Sequence, residues 1–160
     1  MISKQDLIQL FQKEFATTAR VMKAYPAGKD DFAPHERSSN AMRLASTFVF
    51  EMYLLEKYIF AEPIDPAVFK SYKPDNLNAI AEDFEKEGKR VISRLQELPE
   101  SDLNKNVSFG GATFVADQFA LMMLFDQIHH RGQLSVYVRM AGGKVPSIYG
   151  PSADDQGTNL

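Results

Sequence analysis

Four stretches of this chain repeat apolar side chains every three or four residues, and each is bounded by residues that cap or break a helix. That pattern constrains the fold most, because a 3.6-residue period places such positions on one helical face, ready to be buried together. In the first stretch Leu7, Phe11, Phe15, Ala19 and Met22 share a face. Ser3 with Asp6 makes an N-terminal capping pattern. At the other end Pro26 biases Tyr25 away from helix and Gly28 permits a turn. A polar connector containing Pro34 and His35 leads to the second stretch, which starts near Ser38 to Asn40. Its apolar face is Ala41, Leu44, Ala45, Phe48, Met52, Leu55 and Ile59.

Pro63, Pro66 and Pro74 mark a long connection that no single helix can cross. The third stretch opens near Asp75 or Asn76 and carries Leu77, Ile80, Phe84, Gly88, Val91, Leu95 and Leu98 up to Pro99. Its other face, with Glu82, Glu85, Lys86, Lys89 and Arg90, reads as solvated surface. Asn104 to Phe109 reads as a short extended piece ended by Gly110-Gly111. The fourth stretch takes Thr113 as its N-cap and runs to about Ala141, where Gly142-Gly143 supply a C-terminal cap and Pro146 blocks resumption. From about Ser147 the tail is polar and irregular. These elements predict an all-α four-helix bundle, one domain over residues 1–160, with a long crossover between the second and third helices.

Composition narrows the function classes. At 160 residues, with 44% hydrophobic and 24% charged residues, the chain suits one ordered globular domain. It has no cysteine, which excludes disulfides, thiolate metal sites and a cysteine nucleophile, and fits a reducing cytoplasm. A net charge of −3 leaves no basic footprint for nucleic acid. The polar Met1 to Asp6 segment lacks the apolar core of a secretion signal, and no window approaches 18 uninterrupted apolar residues. The expectation is a cytoplasmic protein with neither membrane nor nucleic-acid partners.

Chemistry concentrates in the fourth helix. Asp126 and His130 stand at i and i+4, so their side chains leave one face about 5–6 Å apart at Cβ. A carboxylate and an imidazole at that spacing can share a divalent cation such as zinc, nickel or iron, given a further ligand from another helix. The same spacing equally suits a hydrogen-bonded pair. His129 points about 100° away from His130 and shares a face with Asp126 at i+3, so the pattern leaves open which histidine faces inward. Arg131 and Arg139 read as surface or intersubunit ion pairs, and Gly132 as a point of close helix approach. His35 reads as an exposed loop residue.

His130-Arg131-Gly132-Gln133, then Tyr137-Val138-Arg139, Gly143-Lys144-Val145-Pro146 and Ile148-Tyr149-Gly150-Pro151, resemble the signature of the DinB/YfiT-like superfamily. Arg37 to Ala45 resembles the start of that family's second helix. The resemblance implies an up-down-down-up bundle, often dimeric. It frequently holds a divalent metal on three histidines, one from the second helix and two from a His-x-x-x-His pair on the fourth. Carried over, the last ligand is His130, the first of the pair falls on Asp126, and the second-helix ligand falls on Thr47. Two of the three expected histidines are therefore replaced. Glu51, one turn beyond Thr47, can reach the same cavity, and a Glu51, Asp126 and His130 set would suit iron, manganese or zinc.

Three functions follow as expectations. The first is a metal-dependent thiol transferase, whose thiol must be a low-molecular-weight cofactor because the chain has none. The second is a non-catalytic small-molecule binder that has lost the metal, with Phe48, Met52, Met122 and Phe125 lining a cavity or simply forming core. The third is a stress-associated homodimer.

Overall fold

The computed structural model describes residues 2–157. Four long helices carry the fold: α1 (Lys4–Lys23), α2 (Ala41–Ile59), α4 (Leu77–Glu97) and α5 (Ala116–Met140), with a short α3 (Ala67–Ser71) inside the crossover. The first three long helices start where a side chain accepts an otherwise orphaned backbone N–H. Ser3 accepts from Asp6, Asn40 from Arg43 and Asn76 from Ala79. The fourth differs from expectation. Thr113 is not its cap but lies in β2 (Ala112–Val115), which pairs antiparallel with β1 (Asn106–Phe109) and sets Thr113 opposite Ser108. Gly110 and Gly111 both adopt positive φ, 59° and 82°, as a two-residue hairpin turn requires. The strand then runs directly into α5 with no side-chain cap at Val115.

Contacts along the helices set their directions. Lys4 Nζ donates to the carbonyls of Gln96 and Leu98, while Lys23 meets Glu85 at 2.6 Å, so α1 and α4 run antiparallel. Phe48 packs on Phe84 and Glu56 binds Arg94, so α2 and α4 run parallel. Tyr58 packs on Phe119 and the Tyr137 hydroxyl donates to the Ser39 carbonyl, so α2 and α5 run antiparallel. α1 and α5 are parallel, with Glu14 beside Arg131 and Ala24 beside Gly143. Each of α1 and α2 packs against both α4 and α5.

The core between them is aromatic and aliphatic, with Phe11, Phe48, Met52, Phe84, Leu95 and Phe119 all fully enclosed. Phe48 and Met52 are thus core, whereas Phe125 stands 61% exposed on α5. Beyond α5 the tail returns along the bundle. Arg139 binds Asp154, and Asp154 and Asp155 accept from the backbone of Val145 and Ser147.

Candidate metal centre

Glu51 lies mid-way along α2, and its 5% exposure is unusual for a carboxylate. The antiparallel α5 brings Asp126 and His130 over it. One ligand atom from each of the three lies within 4.8 Å of the others, a separation one cation could bridge. His130 Nε2 stands 3.2 Å from Glu51 Oε1 and 3.7 Å from Asp126 Oδ1. Neither buried oxygen of Glu51 has a hydrogen-bond partner of good geometry. Burial, with the neighbouring Asp126 carboxylate adding to it, pushes the Glu51 carboxyl up to about 9. At neutral pH Glu51 therefore keeps a proton unless a cation replaces it. Asp126 is more than half exposed, so it needs no partner to offset burial.

The histidine question is resolved by one glutamine. Gln133 Oε1 lies 3.4 Å from His130 Nδ1, while Gln133 Nε2 lies 2.8 Å from His129 Nε2. With the amide oriented this way, Nδ1–H of His130 donates and Nε2 presents its lone pair to the two carboxylates. His130 turns inward, its ring edge-on to the buried Phe48, and His129 stays exposed. Sequence reasoning passed over Gln133, although its i+3 spacing from His130 was the available signal. Thr47 does not join the three; its hydroxyl donates to the Arg43 carbonyl at 3.2 Å.

Two expectations are corrected and a third holds. Arg131 is not a surface residue: it is 1% exposed, pairs with Glu14 at 2.7 Å and donates to the Glu14 carbonyl and Thr18 hydroxyl. The Tyr149 hydroxyl closes the cluster, accepting from Arg131 and donating to Glu14. The signal lay in the first helix, where Glu14 falls on the Leu7, Phe11 and Thr18 face; a lone acid on a core face calls for a buried cation. Gly132 permits no close approach, since a Cβ there meets nothing within 4 Å. His35 is exposed, as expected, and its Nδ1 accepts from the Arg37 backbone N–H.

A bundle of four long helices with acidic and imidazole side chains converging between two of them defines a class of protein, one that builds sites from facing helices. The model of the DinB family matches residues 1–158, and the chain belongs to that family. Among curated relatives it is 28% identical over 83 residues to YrdA of Bacillus subtilis (strain 168); the match spans 51% of this chain and only 50% of that protein. Among solved structures, a DinB-like protein from Bacillus cereus ATCC 10987 is similar at a TM-score of 0.80 and 21% identity, covering 91% of this chain and 97% of that one. YjoA of Bacillus subtilis, another DinB-like protein, reaches 0.72 at 20% identity, covering 89% and 96%. YfiT of Bacillus subtilis, described as a probable metal-dependent hydrolase with an unusual four-helix bundle topology, reaches 0.66 at 12% identity, covering 90% and 92%. These structural likenesses establish the fold.

Proposed function

We propose that the protein is a metal-dependent enzyme in which Glu51, Asp126 and His130 hold one divalent cation, zinc, iron or manganese. The nucleophile, water or a low-molecular-weight thiol, comes from outside the chain, because the chain has no cysteine. The observation that carries this reading is Glu51: a carboxylate enclosed beside an imidazole and a second carboxylate, with both oxygens unpartnered. Ionising a carboxyl enclosed in this way is costly unless something positive shares the space, and a divalent cation would displace its proton. When bound, the cation would supply a Lewis acid that lowers the pKa of a coordinated water or thiol. The residues of the chain do the rest. Gln133 fixes the ring of His130, Phe48 backs it, and exposed Asp126 leaves the outer side open to substrate.

The rival reading, a binder that has lost its metal, needs Asp126 and His130 to hydrogen-bond with Thr47 as a third partner. At 3.7 Å, with the Thr47 hydroxyl turned to a backbone carbonyl, those groups do not serve one another. No helix of the described residues is long and apolar enough to cross a membrane. A cytoplasmic homodimer belongs to the same proposal, and Val136 and Met140, exposed one turn apart on α5, offer apolar contact for it.

Elemental analysis of protein purified without chelating columns tests the centre. About one equivalent of metal is expected in the wild type, with loss in His130→Ala and Glu51→Gln. No stoichiometric metal in the wild type after metal-replete growth refutes the reading. Assays of ester hydrolysis and of thiol conjugation on the same loaded protein then separate the two nucleophiles.

A further inference from the structure

The three converging side chains sit midway along the seam between α2 and α5, and the seam changes character on either side of them. Toward the start of α2 it opens into a pocket of about 430 Å³ lined by Ser38, Arg43, Thr47, His130, Gln133 and Tyr137. Leu44 is the one purely apolar side chain in its lining; the others can hydrogen-bond, and Arg43 is its one fixed charge. Arg43 is exposed, and its guanidinium enters no ion pair or hydrogen bond among the described residues. Toward the end of α2 the seam opens into a second pocket of about 530 Å³, lined mainly by apolar side chains, Leu54, Phe109, Met122 and Phe125 among them, with Glu51, Asp126 and His129 as its polar residues. His130 belongs to the first pocket and the two carboxylates to the second, so a molecule occupying both must lie across all three.

Each volume is within the range of small-molecule sites, and each end asks for a different chemistry. A free guanidinium among hydroxyls recognises a carboxylate through paired N–H donors. One guanidinium pairs with one carboxylate, and the exposed Asp126 carboxylate in the seam disfavours a second negative charge beside it, which limits the ligand to one negative charge. The opposite pocket offers large apolar side chains, and the exposure of Phe125 marks apolar surface that a ligand would cover.

We propose that the centre takes a monoanionic, amphipathic small molecule of the N-acyl amino acid type. Its carboxylate binds Arg43, its acyl chain lies against Phe125 and Met122, and its polar linkage sits over Glu51, Asp126 and His130. This assignment rests on the metal-centre reading for the chemistry at the linkage, while the two ends stand on the groove alone.

Calorimetric titration with N-octanoylglycine, N-octanoylglycinamide and N-acetylglycine separates the ends. N-octanoylglycine is expected to bind at least tenfold more tightly than either other compound. In Arg43→Gln the preference for carboxylate over amide disappears. In Phe125→Ser the octanoyl compounds weaken while N-acetylglycine is unchanged. Both positions are exposed, and melting temperatures equal to that of the wild type verify that the variants fold. Equal binding of acid and amide by the wild type overturns the proposal, as does absence of binding or indifference to both variants. The titrations run on metal-free and zinc-loaded protein. Discrimination at Arg43 and Phe125 in a protein that takes up no zinc keeps the groove and removes the metal centre. Zinc uptake without discrimination does the reverse.

Discussion

Four consecutive side chains on α5 divide their work because successive helical residues point about 100° apart. His130 faces Glu51, Arg131 enters the bundle, Gly132 meets open space, and Gln133 returns to hold both histidine rings. A group that orients a ligating histidine typically contributes about 10- to 100-fold in metal affinity. Gln133→Ala is therefore expected to weaken zinc binding by about that factor, with the melting temperature of the metal-free protein unchanged; equal affinity in competition titrations against a chelator would contradict the orienting role. Gly132→Ala should stabilise by up to about 1 kcal/mol, since alanine is the better helix former and its Cβ meets nothing. Urea unfolding reads this, and a loss of stability would restore close packing at that position. Much of this residue-scale picture was legible beforehand. Spacing set Asp126 and His130 on one face, and the family resemblance, by placing a second-helix ligand at Thr47, pointed to Glu51 one turn beyond it. Spacing could not choose between His129 and His130, because that choice depends on the Gln133 amide and the position of α2.

At the scale of elements, α1, α5 and the returning tail meet at one cluster. Glu14 and Arg131 neutralise one another where both are buried, and the hydroxyl of Tyr149, a residue exposed on the tail, hydrogen-bonds to the pair. Removing one member leaves an uncompensated charge, so Arg131→Met is expected to cost about 3–5 kcal/mol in denaturant unfolding. The double variant Arg131→Met with Glu14→Leu should recover much of that, because neither charge remains to be buried. A double variant as unstable as the sum of the singles would mean that the cluster contributes through shape and not charge. Helix limits were readable because capping residues mark them: Ser3 caps as its pattern with Asp6 suggests, and the caps Asn40 and Asn76 fall within the starts expected near Ser38 to Asn40 and near Asp75 or Asn76. The start of α5 was not, since Thr113 resembles a cap in isolation and only the pairing with Ser108 reassigns it to a strand. The buried arginine was misplaced for a related reason. Its partners lie far away in the chain, and a local reading of a charged side chain defaults to the surface.

Across the whole molecule, an ionic zip ties the end of α2 and the start of the crossover to α4. Glu56 binds Arg90 and Arg94, Arg94 also binds Glu62 at 2.5 Å, and Lys57 binds Glu62 at 2.7 Å. The hydrogen bond from Arg94, seconded by Lys57, holds the Glu62 carboxyl at about 2, below its ordinary 4.5. With the folded value depressed, the unfolded chain binds more protons between those limits, so this contribution is complete above about 4.5 and lost as the pH falls through about 2. Glu62→Gln should therefore lose stability less steeply than the wild type across that acid range. Parallel curves in chemical denaturation at stepped pH would show that Glu62 does not couple to folding. The bundle as a whole follows from four amphipathic periods and their breakers, and the DinB resemblance pointed to the same architecture.

The Glu14, Arg131 and Tyr149 cluster has a kinetic side. Glu14 and Arg131 are 117 positions apart, and Glu14 and Tyr149 are 135 apart, so the cluster closes loops that span most of the chain. Closing such loops carries an entropic cost that local helix contacts avoid, which favours forming the cluster after the rate-limiting step of folding. Interactions absent from the transition state govern how fast a native protein opens, not how fast it forms. The cluster thus acts as a latch: its loss in Arg131→Met would appear chiefly as faster unfolding, with the refolding rate close to that of the wild type.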